Sequence, residues 1–211
     1  MNKPSEPEIL PISAAVLMGG RSERFGSPKA FLPYKGESLA ARLLGLCSTF
    51  SPDAFAVARD PSQVPPDAKA FPLVTDQWEE RGPLSGLQAA LTQADCPALF
   101  LCGVDMPFLK REVAEGLWWA WEEERPDVVV PRIGGHWEPL CALWSRTALR
   151  VLVPSRWKSF QQLLSEGFLR VRSVTEEELR VWDPDLDCLR NFNTKEEWER
   201  SLSAPSQDSR R

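Results

Sequence analysis

The segment Pro97 to Cys102 (PALFLC) is apolar at every position. Continuous apolarity over so short a run is what a strand covered on both faces requires, since an exposed face would place polar residues at alternate positions. Pro11 to Met18 (PISAAVLM) has the same character and ends in Gly19 and Gly20, a strand opening into a loop. Further strands read at Ala54 to Ala58, at Phe71 to Val74, at Asp127 to Val130, which stops at Pro131, and at Leu169 to Val174. Helices read at Ser38 to Leu44, Leu84 to Gln93, Lys110 to Glu124, Phe160 to Glu166 and after Asn193, where Thr194 and Glu197 fit a capping box. Such alternation predicts an α/β fold of three layers, a mostly parallel twisted sheet with helices on both faces. Ile133-Gly134-Gly135-His136 reads as a turn between extended pieces, which predicts a small antiparallel hairpin at one edge.

The chain has 211 residues, enough for one core without disulfide or metal staples. Residues 8–202 read as a single domain between tails, 1–7 and 203–211, expected to be disordered. With 30 acidic against 25 basic side chains the formal charge is -5, which speaks against nucleic acid as a partner. No apolar run approaches the ~18 residues of a membrane helix, and Met1 to Pro11 lacks the basic and apolar stretches of a signal peptide. Five widely spaced cysteines (Cys47, Cys96, Cys102, Cys141, Cys188) form no C-x-x-C pair and read as free thiols of a cytoplasmic protein. The single histidine, His136, leaves acid-base and metal chemistry to carboxylates and lysine.

Residues 17–29 form a glycine-rich loop after the first strand, closed by a lysine. Gly19, Gly20 and Gly26 do not supply the G-x-G-x-x-G of a dinucleotide fingerprint. Nor do Gly20, Gly26 and Lys29 have the G-x-x-x-x-G-K-S/T spacing of a P-loop. The pattern present is L-x-G-G-x5-G-x-x-K, which resembles the signature loop of nucleotidyltransferases. Its glycines let backbone N–H groups approach phosphate oxygens. Arg21, Arg24, Lys29 and Lys35 against Glu23 give residues 17–35 a local charge of +3.

Asp105 follows the apolar run and precedes Met106-Pro107, a position from which a carboxylate holds Mg²⁺ against triphosphate oxygens at the carboxyl edge of a sheet. Asp76 ends another short strand ahead of Gly82-Pro83-Leu84-Ser85-Gly86, as a ligand contact or as a turn or helix-capping aspartate. His136 to Leu140 read either as the lining of a second substrate pocket or as exposed hairpin surface. Trp118, Trp119 and Trp121 lie on one helix, suited to core packing or a subunit contact.

These residues resemble the molybdenum cofactor guanylyltransferases. The similarity runs from about Ala14 to Glu197 through Leu17-Met18-Gly19-Gly20 with Arg21, Arg24, Gly26 and Lys29; Asp76 with Gly82 to Leu87; Cys102 to Pro107; Glu138-Pro139-Leu140; and Asn191 to Glu197. The resemblance implies a Rossmann-like nucleotidyltransferase fold that transfers GMP from GTP to molybdenum-molybdopterin. It implies GTP contacts at Leu17, Met18, Gly19, Lys29, Asp76 and Asp105, with Mg²⁺ on Asp105. Gly20, Arg21 and Gly82 complete the expected nucleotide site; Lys29, Asp105 and Arg24 are the expected catalytic groups. Glu138, Asn191 and Asn193 are expected at the second substrate. The implied partners are GTP, the molybdopterin cofactor and, transiently, molybdoenzymes or cofactor-maturation proteins. The chain departs from the pattern at Phe25, Pro28 and Ala58-Arg59, the last lying where the family has a base-contacting Asn. The alternatives are the same chemistry with CTP or another phosphorylated acceptor, and a non-catalytic nucleotide or cofactor carrier.

Overall fold

The computed structural model describes residues 9–19, 28–76, 82–152, 156–192, 194 and 197–200, and the expected tails lie outside them. Its strands are β1 (Ser13–Leu17), β2 (Pro33–Tyr34), β3 (Glu37–Ser38), β4 (Asp53–Ala58), β5 (Leu73–Thr75), β6 (Ala98–Gly103), β7 (Val128–Ile133), β8 (His136–Trp137), β9 (Cys141–Ser145) and β10 (Val171–Val174). The helices are α1 (Leu39–Ser48), α2 (Pro83–Gln93), α3 (Arg111–Glu124), α4 (Phe160–Ser165) and α5 (Glu176–Trp182). Residues 197–200 are helical as well, and the Glu197 N–H donates to Thr194 Oγ1 at 3.2 Å as a cap should.

The eight-stranded sheet has the order β10-β7-β9-β6-β1-β4-β5, with β8 paired to β7, while β2 and β3 form a separate hairpin. Strands β6, β1, β4 and β5 are parallel neighbours, as are β7 and β10. Strand β9 runs against both β6 and β7, so the reversed strand lies inside the sheet, and the hairpin β7–β8 branches from it.

Alternate side chains feed two cores. Ala14 and Val16 of β1, Ala56 and Ala58 of β4, and Phe100 and Cys102 of β6 face α1 and α3, where Leu39, Leu43, Leu44, Leu117 and Trp121 cover them. Ala15 and Leu17, Phe55 and Val57, and Leu99 and Leu101 face α2 and α4, beneath Leu87, Leu91, Leu163 and Leu164. Burial on both faces explains the continuous apolar runs; each full burial of a large apolar side chain contributes roughly 1.5–3 kcal/mol.

The strand expected to stop at Pro131 continues to Ile133. Pairing of β7 with β9 ends at Val129, and Pro131 holds its place in the strand in register with Val174 of β10. The Pro131 carbonyl still accepts from the Glu138 N–H at 2.9 Å. Gly134 and Gly135, at φ of 55° and 86°, supply the positive dihedrals of a tight two-residue hairpin turn between Ile133 and His136.

Candidate active site

The site is assembled at the carboxyl edge shared by β1, β4, β5 and β6. The Met18 N–H donates to the Val57 carbonyl at 2.9 Å, and the Leu17 carbonyl accepts from the Val104 N–H at 3.0 Å. Leu17 and Met18 bury their side chains, which leaves them only backbone groups for a ligand. Gly19 is exposed, with φ of 150°, a backbone that side-chain-bearing residues rarely adopt. The Leu17 side chain occupies space freed by Gly86, where a Cβ would lie 2.9 Å from Leu17 Cδ2. Gly20, Arg21 and Arg24 lie outside the described residues.

Lys29 opens a single helical turn, Lys29–Phe31, and its Nζ donates to Asp105 Oδ2 at 3.0 Å. Both side chains are mostly shielded, 16% and 30% exposed, so this ion pair joins the two halves of the site across 76 residues of sequence. Asp105 sits two residues beyond β6. It does not cap a helix: Lys110 holds the N-cap position of α3. The turn carrying it is held by the Met106 N–H on the Gly103 carbonyl at 3.3 Å and by Arg42 Nε on the Pro107 carbonyl at 3.0 Å.

Asp76 follows β5 and ties its N–H to the Ala58 carbonyl at 2.9 Å. Its Oδ2 accepts from the Ser85 hydroxyl at 2.5 Å, in the first turn of α2. The helix cap itself is Gly82, whose φ of 58° and ψ of -142° suit glycine, with Pro83 in the first turn. Asp76, at the end of β5, and Gly82, at the start of α2, therefore stand at the edge that carries Asp105.

Across β6 the turn Glu138 to Leu140 borders Asp105 from the other side. Gly103 donates its N–H to the Leu140 carbonyl at 3.1 Å, which extends the β6–β9 ladder to the last residue before the Asp105 turn. Glu138 is half-buried and His136 is exposed. Burial pushes the Glu138 carboxyl up, with the charge of His136 opposing it. Asn191 is exposed beside buried Phe192, and Asn193 lies outside the described residues.

Four aromatic side chains absent from the sequence reading of the site support it. Tyr34, Phe108, Phe192 and Trp198 form a chain of ring contacts with centroids 5.2–6.2 Å apart. They dock the carboxyl-terminal segment bearing Asn191 onto the loop three residues past Asp105. Lys110 adds a second tie, 2.6 Å from Asp183, whose side chain is wholly buried. Only Phe108 and Lys110 stand near Asp105 in sequence; Tyr34, Asp183, Phe192 and Trp198 come from distant segments, and such contacts leave no local period.

Among the described residues no group of three or more His, Cys, Asp or Glu could hold a metal ion. Asp105, a single carboxylate beside Lys29 at the sheet edge, is nevertheless suited to a divalent cation shared with substrate phosphates, the usual manner of binding Mg²⁺.

A family profile described as the MobA-like NTP transferase domain matches residues 14–175. The molybdenum cofactor guanylyltransferase of Desulfosudis oleivorans is 34% identical, over 92% of this chain and 95% of that protein. The probable molybdenum cofactor guanylyltransferase of Pelotomaculum thermopropionicum is 33% identical, over 88% and 89%. Among solved structures, molybdopterin-guanine dinucleotide biosynthesis protein A of Archaeoglobus fulgidus superposes with a TM-score of 0.76 at 27% identity, covering 91% of this chain and 97% of that one.

Proposed function

The chain belongs to the MobA-like NTP transferases, and on that premise we propose that it transfers GMP from GTP to molybdenum-bound molybdopterin. A terminal phosphate oxygen of the pterin attacks the α-phosphorus of GTP, a new phosphoanhydride bond forms, and the bond to pyrophosphate breaks. The observation that carries this reading is the Lys29–Asp105 pair, 3.0 Å apart at the sheet edge between Gly19 and the Glu138 turn.

Positioning and charge compensation account for the chemistry. Lys29, with Arg21, Arg24 and the backbone of Gly19 and Gly20, holds the phosphates and offsets the charge that builds on the departing pyrophosphate. Leu17 and Met18 offer only backbone groups. Asp76 and Gly82 border the nucleoside, and Glu138, Asn191 and Asn193 face the acceptor. Asp105 would hold a divalent ion such as Mg²⁺, which when bound would supply Lewis-acid stabilisation of the triphosphate. The protein acts in the cytoplasm, the compartment suited to its unpaired thiols. Trp119 of α3, 57% exposed, is the candidate surface for transient contact with molybdoenzymes or maturation proteins.

The test is product analysis after mixing the protein with Mg²⁺, GTP or CTP, and molybdenum-loaded molybdopterin. The guanine dinucleotide and pyrophosphate are the expected products. Asp105→Asn and Lys29→Ala should each lower turnover by about 100-fold or more while circular dichroism stays native. Wild-type turnover in either variant defeats the assignment, and a cytosine dinucleotide transfers it to CTP.

A further inference from the structure

Glu138 is held firmly and yet its carboxylate is unused. Its N–H donates to the Pro131 carbonyl at 2.9 Å and its carbonyl accepts from the Cys141 N–H at 3.0 Å, which fixes the residue in the turn between β8 and β9. The side chain is half-buried, and among the described residues no donor reaches its oxygens. Apart from the charge of His136, which acts on it through space, the carboxylate keeps both acceptor oxygens open to donors that a ligand brings.

Sheet order tells which ligand that is. Strands β1, β4 and β5 lie on one side of β6, and β9 on the other. Gly19 and Asp76 therefore occupy one flank of Asp105 and Glu138 the opposite flank. A nucleotide on the loop after β1 leaves the β9 flank to the acceptor. A carboxylate carries two acceptor oxygens at fixed spacing and pairs best with two parallel N–H donors. The 2-amino-4-oxopyrimidine edge of a pterin presents such a pair, the amino group and N3–H.

We propose that Glu138 reads the aminopyrimidinone edge of the acceptor and so determines acceptor specificity. The proposal rests on the acceptor assigned above. Guanine carries the same edge, so the experiment must separate the two rings.

The probes are a 6-substituted pterin monophosphate and the matching lumazine, in which an oxo group replaces the 2-amino group. Each is titrated by fluorescence against protein loaded with Mg²⁺ and a non-hydrolysable GTP analogue. Wild type is expected to bind the pterin about tenfold more tightly, the scale of one charge-assisted hydrogen bond. Glu138→Gln presents one acceptor and one donor, matching lumazine, and should erase or invert that preference. A merely structural role would weaken both probes alike. Three results overturn the proposal: no preference in wild type, a pterin preference retained in Glu138→Gln, or loss of discrimination between GTP and XTP with acceptor discrimination intact. Failure of wild type to form any dinucleotide would instead reject the guanylyltransferase reading, independently of the probe pair.

Discussion

A methyl group added at Gly103 would lie 2.7 Å from Asp105 Oδ1 and 3.4 Å from Leu140 Cδ1. The nearer atom is the end of a flexible side chain, so the fold can absorb the substitution by swinging the carboxylate. Gly103→Ala should therefore lower turnover by about tenfold or more with little change in melting temperature, a split that steady-state kinetics and thermal denaturation read together. Asp127 shows the opposite case, a residue for stability at the other end of the sheet, just ahead of β7. Its carboxylate accepts from both Arg150 guanidinium nitrogens at 2.6 Å, from Thr147 Oγ1 at 2.6 Å and from the Arg170 N–H at 2.8 Å. The hydrogen bond from Arg150 leads in holding its pKa down at about 2, against the opposing effect of burial. A depressed folded pKa stabilises fully above the unfolded value near 3.9, and that stability is lost as pH falls toward 2. Asp127 thus contributes about 2 kcal/mol at neutral pH. Urea denaturation between pH 5 and pH 2 should show an acid-labile term of about that size that is missing in Asp127→Asn.

At the scale of elements, helix α3 carries its own test. A Cβ at Gly116 would come within 2.1 Å of the Trp182 ring, which lies flat against the helix where α5 packs on α3. The ring ends a helix held by the Thr175 and Glu178 capping box, so it has less room to yield than Asp105 has. Gly116→Ala should destabilise the protein by about 1–3 kcal/mol, read as a shift in the denaturation midpoint. Trp118 and Trp121 are buried and stack at 5.3 Å, while Trp119 is exposed, so the three tryptophans of one helix serve different ends. The helical period of α3 is legible in sequence, but which tryptophan faces out is decided by where α5 and the sheet fall. Strand β9 has no sequence signal of its own: Cys141 to Ser145 resembles any other buried apolar run, and its reversed direction depends on the turn that precedes it.

Over the whole molecule, Cys47, Cys102, Cys141 and Cys188 converge in the core facing α1 and α3, all fully buried, while Cys96 is partly exposed. Hydrogen bonding with Cys47 and burial push the Cys102 thiol up; hydrogen bonding with Cys141 and burial do the same to Cys188. A thiol reagent should modify Cys96 alone in the native protein and the other four only after unfolding. The sequence by itself determined the layered α/β class and the place of Asp105 just past a buried strand, because continuous apolar runs and a carboxylate after a strand are local patterns with local causes. Only the tertiary structure decided that Lys29 meets Asp105, that Ser85 holds Asp76, and that Glu138 flanks the site from a strand running the other way. Those are contacts between segments far apart in the chain, and what brings them together is the packing order of the strands, which no local pattern encodes.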